Sequence, residues 1–352
     1  MHALVTGGGG FLGSGIVRGL LNNGYYVSVI GRRTYPHLPQ SVKLLKGDIR
    51  DFEFVNNSLK NTGVIFHTAA IPSLWGPAKE FYSINVKGTE NIIKACRKNH
   101  VPKIVFTSSP SVIFGQSSLE KVDESMPYPK NYLCEYSRTK ALAEKIILNA
   151  NDSTLSTVAI RPHLIWGPQD PHLVPRILEK SEKNALVKVG KGKNLVDIIY
   201  IDNAVSAHLK ASEALVPNGN VAGKTYFVSD GKPVNLWGWI DQLLERMGKI
   251  SREKSTANAC VPQAITATIN QPRSIHPSVE PPPRIAIFLL NRKGNKYSGI
   301  MRKTVAWKGQ ILTSYAVPHR AGGARKNPFA CARHTGFHQF RAQLIPLLPN
   351  IH

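Results

Sequence analysis

Ala3-Leu4-Val5-Thr6-Gly7-Gly8-Gly9-Gly10-Phe11-Leu12-Gly13 sets a short apolar run directly before a glycine block and an amphipathic stretch. Ala3 to Val5 reads as a buried strand, and Phe11, Leu12, Ile16, Val17, Leu20 and Leu21 recur at helical spacing. The glycines therefore form a strand-to-helix turn. Gly7 permits the tight turn, Gly10 lets backbone approach a pyrophosphate, and Gly13 lets the helix lie close to the sheet. The unpaired amides of the first helical turn, around Phe11 and Leu12, then face the phosphates. A glycine-rich loop without a ligand is the plainer reading, and the strand before and helix after weigh against it.

Working outward, Val27-Ser28-Val29-Ile30 reads as the next strand and ends in Gly31-Arg32-Arg33. An NAD-selective fold places a carboxylate there for the ribose 2′-hydroxyl, and none is available. Two guanidiniums suit a 2′-phosphate instead, so NADP(H) is the preferred cofactor and NAD(H) the alternative. Ordinary solvated arginines are the competing reading. Val42 to Lys46 reads as a third strand closed by Gly47-Asp48-Ile49, where Asp48 alone could also be a turn or cap residue. A fourth strand, Val64-Ile65-Phe66-His67, runs into Thr68-Ala69-Ala70, whose small side chains let backbone pass close to a ligand. His67, a lone histidine ending an apolar strand, reads as packed and hydrogen-bonded.

Ile104-Val105-Phe106 reads as a buried strand with Thr107-Ser108-Ser109-Pro110-Ser111 at its carboxyl end, where open α/β sheets bind ligands. Tyr136 and Lys140 stand four apart on a helix expected over Leu133 to Leu148, so both leave one face. A free phenol, with a pKa near ~10, is a poor base at neutral pH; a neighbouring ammonium and an oxidised nicotinamide both favour the phenolate. The expected roles follow. Ser109 hydrogen-bonds a substrate carbonyl, with Ser108 the fallback. Tyr136 gives that oxygen a proton, and Lys140 lowers the phenol pKa and holds the ribose. Glycine turn, serines at a strand end, then Tyr and Lys on the following helix make an ordered set that chance rarely supplies.

The Gly-x-x-Gly-x-x-Gly spacing resembles the short-chain dehydrogenase/reductase superfamily. Four further stretches resemble, within its extended branch, the 3β-hydroxysteroid dehydrogenase/isomerase family: Tyr128-Pro129, Arg161 to Pro168, Asp197 to Ala204, and Phe227 to Gly231. The likeness covers residues 1 to about 250 and extends to bacterial 2-alkyl-3-oxoalkanoate reductase-like members. It implies a ketone reduced, or the matching alcohol oxidised, on a large apolar lipid or steroid-like molecule. It also implies Asp48 and Ile49 beside the adenine, Ala69 and Ala70 beside the cofactor, Asn85 supporting the active site, and Pro162 against the nicotinamide with Arg161 holding the strand end. Loop packing is the other reading of Arg161, His163 and Trp166. A homodimer paired through the tyrosine helix is implied by the same likeness.

Dehydratases of this fold need an Asp-Glu pair where this chain has Ser108-Ser109-Pro110, which disfavours dehydration; nucleotide-sugar epimerases share the Ser, Tyr and Lys and stay open, as does a catalytically silent dinucleotide-binding protein. The apolar Ile71 to Pro77 loop and Trp166 suit a greasy ligand pocket, with core packing the alternative for Trp75 and Trp166. The longest apolar run, Ile285 to Leu290, is far short of the ~20 residues of a membrane span. The N-terminus enters the first strand at once, so no signal peptide is expected. Cys96, Cys134, Cys260 and Cys331 are isolated, indicating neither a zinc site nor a disulfide framework, and a cytoplasmic location is expected.

Composition changes near residue 250. Residues 1–250 hold 30 basic and 20 acidic side chains, whereas 251–352 hold 15 and 2, so the tail supplies 13 of the 23 net positive charges. It carries Pro281-Pro282-Pro283 and scattered histidines without helical or strand period. A basic appendage for nucleic acid or anionic lipid is one reading. An unevolved or shifted-frame extension is the favoured one, so no nucleic-acid partner is expected. Helices are expected over Asp170–Glu182, Asn203–Leu215 and Val234–Gly248, with a strand over Lys224–Ser229. The expected architecture is a Rossmann-like, doubly wound α/β domain (1–165), a small substrate lobe interleaved with the last strands (166–250), and an atypical basic tail (251–352).

Overall fold

The computed structural model describes residues 1–249 apart from 74, 116–118, 120, 121, 190 and 191, together with the backbone of Lys254–Thr256. Seven parallel strands form one sheet: β1 (His2–Thr6), β2 (Tyr26–Gly31), β3 (Lys43–Lys46), β4 (Val64–His67), β5 (Lys103–Thr107), β6 (Ser156–Pro162) and β7 (Lys224–Val228). Their order is β3-β2-β1-β4-β5-β6-β7, which reverses direction between β1 and β4. That reversal opens a crevice at the carboxyl edge, the place where doubly wound sheets take their ligands.

The inner strands are apolar through their middles because both faces are covered. Side chains alternate between two cores. Val5, Val29, Val105 and Val158 meet Ile16, Val17 and Leu20 of α1 (Phe11–Asn22) and, after the chain has passed through the lobe, Ala204 and Ala207 of the helix Ile201–Ala214. Leu4, Ile30, Ile65 and Ala159 face the opposite way, against α2 (Phe52–Ser58), α3 (Gly88–Lys98) and α4 (Glu135–Asn149). Edge strand β3 begins and ends in exposed lysines, which discourage pairing with another chain.

The smaller lobe is built from segments on both sides of β7, the stretch after β6 and the helix that follows β7. Val174, Ile177, Val196, Ile198, Trp237, Ile240 and Leu244 form a core separate from those of the sheet. Asp170 accepts backbone bonds from His172, Leu173 and Val174, so the helix expected from Asp170 begins at Leu173. Asn235 likewise accepts from Gly238 at 2.8 Å and starts the last helix at Leu236, two residues later than expected. Cys134 is extended (φ −154°, ψ 161°), which delays the tyrosine helix to Glu135. Lys254–Thr256 pairs in parallel with Val187–Val189. The remainder of the basic tail, including Cys260, Cys331 and Ile285 to Leu290, falls outside the described residues.

Helix α4 is fastened to β6 by a buried ion pair. Arg161 donates Nε to Glu144 Oε2 (2.9 Å) and Nη2 to Oε1 (2.6 Å), and Tyr128 Oη donates to the same Oε1 at 2.6 Å. Glu144 is 0% and Arg161 2% exposed. The guanidinium also lies 5.0 Å from the Phe227 ring centroid and 5.8 Å from that of Tyr128. A charge removed this far from water needs its partner, because the survivor would remain desolvated and uncompensated.

Two predictions follow from this packing. Glu144→Ala, measured by urea denaturation, is expected to lose about 3–5 kcal/mol, with much of it regained in Glu144→Leu/Arg161→Met; a single variant as stable as wild type would refute the dependence. In the same assay Gly13→Ala should cost ~3 kcal/mol or more, since a Cβ there would stand 2.2 Å from the Gly7 carbonyl oxygen. Gly24→Ala, where only the positive φ (76°) resists and nothing lies within 4 Å, should cost just ~1–2 kcal/mol.

Candidate active site

The glycine turn connects β1 to α1. Gly7 has φ +69°, and a Cβ on it would come within 2.9 Å of the Ala69 backbone, so this position needs glycine on two counts. Gly7 N donates to Ile30 O, Gly10 N to Gly7 O, and Ala69 N to Thr6 Oγ1, which ties the ends of β1, β2 and β4 into one rim. Helix α1 has no side-chain cap and no acidic residue in its first turn. Its positive end and the amides at Phe11, Leu12 and Gly13 therefore suit a diphosphate. On the outer side of Gly10 a Cβ would meet only Gly7 O, at 3.3 Å, which leaves room for close approach. The cradle fits the pyrophosphate of a dinucleotide.

Arg32 and Arg33 are exposed at the end of β2. Arg32 is near enough to Asp48 to help hold that carboxyl below its ordinary range, but the larger cause is Arg50. Arg50 donates Nε (3.0 Å) and Nη2 (2.7 Å) to Asp48, so Asp48 is the centre of a turn and the cap of α2 is Asp51. Ile49 is buried in the sheet core beside α3. Ala69 and Ala70 are half-buried on the rim, and Pro162 is buried at the end of β6.

Asn85 lies in a π-helical turn, Tyr82–Lys87, that leads into α3. Such wide turns cluster at functional sites because they redirect a side chain. Asn85 accepts from Ile71 N (2.9 Å) and donates Nδ2 to Thr139 Oγ1 (3.0 Å), joining the loop after β4 to α4 between Tyr136 and Lys140. His67 bonds Thr6 Oγ1 at 2.7 Å and Thr89 Oγ1 at 2.9 Å, and burial holds its pKa down at about 3. It is a neutral packing residue, as expected.

Ser109 and Tyr136 come together. Burial, the larger effect, pushes the phenol pKa up, and the neighbouring Ser109 side chain draws it down. Ser109 Oγ also lies 3.0 Å from Ser111 Oγ and accepts from Ser111 N. Ser108, the fallback, is buried in the strand end, its amide bonded to Ile160 O.

Lys140 is buried at the end of β5, where its Nζ donates to Thr107 O at 2.6 Å and stands 4.2 Å from the Phe106 ring centroid. A buried ammonium takes the nearest strong acceptor, and here that is the carbonyl closing β5. Burial lowers its pKa to about 7, against an upward pull from Glu144. Thr107 Oγ1 is in turn held by His208 Nε2 at 2.9 Å.

Of the tryptophans expected near a pocket, Trp75 is 79% exposed and lies in no hydrophobic core among the described residues, while Trp166 packs edge-on against Tyr200 (5.3 Å) and Trp239 (5.6 Å) in the lobe. His163 is buried, 5.8 Å from Phe227. Sequence reasoning passed over Glu144 and Thr139, although both fall among the inward positions of α4. Glu124 also escaped it: half-buried, it accepts from Phe227 N at 2.9 Å, and desolvation pushes its pKa up to about 7.

Comparison with known proteins agrees with this arrangement. The chain is 42% identical over 251 residues to a 2-alkyl-3-oxoalkanoate reductase of Stenotrophomonas maltophilia, covering 70% of this chain and 76% of that protein. It is 36% identical over 244 residues to the human sterol-4-alpha-carboxylate 3-dehydrogenase, decarboxylating, covering 68% and 65%. Similar solved folds include a UDP-glucose 4-epimerase of Thermotoga maritima with UDP-glucose (TM-score 0.67, 22% identity, 87% of this chain and 100% of that one). MoeE5 in complex with UDP-glucuronic acid and NAD is another (TM-score 0.66, 24% identity, 89% and 100%). No helix among the described residues is long and apolar enough to cross a membrane. With residues 4–258 matching its family model, the chain belongs to the 3-beta hydroxysteroid dehydrogenase/isomerase family, NAD(P)-dependent oxidoreductases acting on a hydroxyl or keto group.

Proposed function

We propose that this enzyme is an NADP(H)-preferring reductase that interconverts a 3-keto and a 3-hydroxyl group on a long-chain β-keto or steroid-like molecule. The observation that carries the reading is the juxtaposition of Ser109 and Tyr136 at the carboxyl end of the sheet, one helical turn from the buried Lys140. The relatives named for 2-alkyl-3-oxoalkanoates and for sterols support the substrate class. A bound nicotinamide dinucleotide supplies or takes up the hydride.

The residues of the chain do the rest. Ser109 donates to the substrate carbonyl oxygen, and Tyr136 passes its proton to that oxygen as the alcohol forms. A phenol kept protonated by burial serves the reductive direction. Lys140 positions the end of β5 through Thr107 O and holds a cation near the ribose. Gly7, Gly10, Phe11, Leu12 and Gly13 hold the pyrophosphate, Arg32 and Arg33 the 2′-phosphate, Ala69, Ala70 and Pro162 the walls of the crevice, and Asn85 fixes α4 against them.

A second reading, nucleotide-sugar epimerisation, has its own support. The epimerase of similar fold was solved with UDP-glucose, and the Ser, Tyr and Lys set serves either chemistry. It predicts dinucleotide retained through purification and interconversion of UDP-sugars without net turnover.

Following nicotinamide absorbance with 3-keto sterols and 2-alkyl-3-oxo acids separates the readings. Tyr136→Phe is expected to lower kcat by ~10²–10⁴-fold with dinucleotide affinity within about twofold of wild type; turnover that survives the substitution would remove the proton-transfer role. A pH series tests Lys140. Its folded pKa, about 7, lies below the ordinary 10.5, so between those values the native state binds fewer protons than the unfolded chain. Stability from this group therefore rises with pH across that window and is lost as pH falls through about 7. Lys140→Met should flatten the climb of Tm between about pH 7 and 10, and parallel wild-type and variant profiles would contradict the assignment.

A further inference from the structure

Gly9 and Gly31 are glycines for a reason that backbone conformation does not supply. Neither has a positive φ, unlike Gly7 and Gly24. What each lacks is room. A Cβ on Gly9 would stand 2.2 Å from Cδ1 of Tyr35, and one on Gly31 2.4 Å from Cε2 and 2.6 Å from the hydroxyl of the same ring. The ring of Tyr35 therefore lies close against both glycines, bridging the glycine turn after β1 and the last residue of β2. His37 packs edge-on behind it, ring centroids 6.1 Å apart. Tyr35 is half-buried, so part of its side chain stays accessible beside the glycine turn.

Its hydroxyl stands over Gly31, at the end of β2. In dinucleotide folds that strand end faces the adenosine ribose, and the group placed there decides between a 2′-hydroxyl and a 2′-phosphate. Here the place holds a neutral phenol, which can donate, flanked in sequence by the exposed guanidiniums of Arg32 and Arg33. A donor beside two fixed cations matches a phosphate dianion better than a sugar hydroxyl, because hydrogen bonds to a charged acceptor are the stronger ones. The flat ring offers the ribose a rigid apolar wall at small entropic cost, since the two glycines hold it in place.

We infer that Tyr35 is a specificity-determining residue of this enzyme, its ring walling the adenosine ribose and its hydroxyl donating to a 2′-phosphate. The inference rests on the NADP(H) reading and deepens it. The test is the affinity of the full-length protein for NADPH and NADH, by titration calorimetry, in wild type, Tyr35→Phe and Arg32→Ala/Arg33→Ala, with thermal melts confirming that each variant is folded. Tyr35→Phe keeps the ring on the glycines and should weaken NADPH ~10-fold while moving NADH by less than about twofold. Equal weakening of both dinucleotides, or none of either, overturns the role given to the hydroxyl. A wild-type preference for NADPH that the double arginine variant abolishes and Tyr35→Phe leaves intact would sink Tyr35 alone. Wild-type protein binding both dinucleotides equally would sink the NADP(H) reading, and this inference with it.

Discussion

Everything the site does depends on how one face of α4 is held against the sheet. Tyr136, Lys140 and Glu144 stand four residues apart and leave the helix on the same side. Glu144 is locked to Arg161 of β6 and Lys140 to the last carbonyl of β5, so two charged side chains clamp the helix across adjacent strands. Neither can let go cheaply, because each is buried and would be left without compensation. The third member of the row, Tyr136, is carried to Ser109 by that constraint, with no ion pair of its own required.

The same clamp bears on electrostatics. Lys140 spends its ammonium on Thr107 O, and burial brings its pKa to about 7. A cation so poised can take up or release a proton near neutrality. Tyr136, meanwhile, is pushed up by burial more than Ser109 pulls it down. Environments that move two neighbouring groups in opposite directions are how a single cleft supports proton transfer at one pH. Asn85 adds rigidity from the other side: through Thr139 it ties α4 to the loop after β4, so the helix is braced against both halves of the crevice.

Much of this was legible in the sequence, and the reason is local. A strand, a glycine turn and a helix with a 3.6-residue period leave marks within a dozen residues, and the Tyr136/Lys140 spacing needs only helix geometry. The runs that became β1, β4 and β5 could be read because strands buried on both faces are apolar throughout. Element ends were misplaced by up to three residues where a side chain, such as Asp170 or Asn235, captures the first amides. What stayed hidden depends on distant partners. Glu144 looks like any helix carboxylate until Arg161, 17 positions on, is folded against it. Lys140's turn toward Thr107 likewise needs the register of β5 beside α4.

Gly9 and Gly31 show the limit most sharply. In the sequence both belong to patterns already explained, one inside a phosphate-binding turn and the other at a strand end, so neither asks for a further cause. Folding brings Tyr35 over both at once, and the absence of two side chains becomes the imprint of a third. A glycine pattern read as backbone freedom thus has two components here. At Gly7 the conformation itself demands glycine; at Gly9 and Gly31 the demand comes from an aromatic ring laid along the rim where a cofactor's ribose belongs. Separating them matters for the function, because a conformational glycine reports only that the turn is tight, whereas a clearance glycine identifies the group that fills the space it leaves.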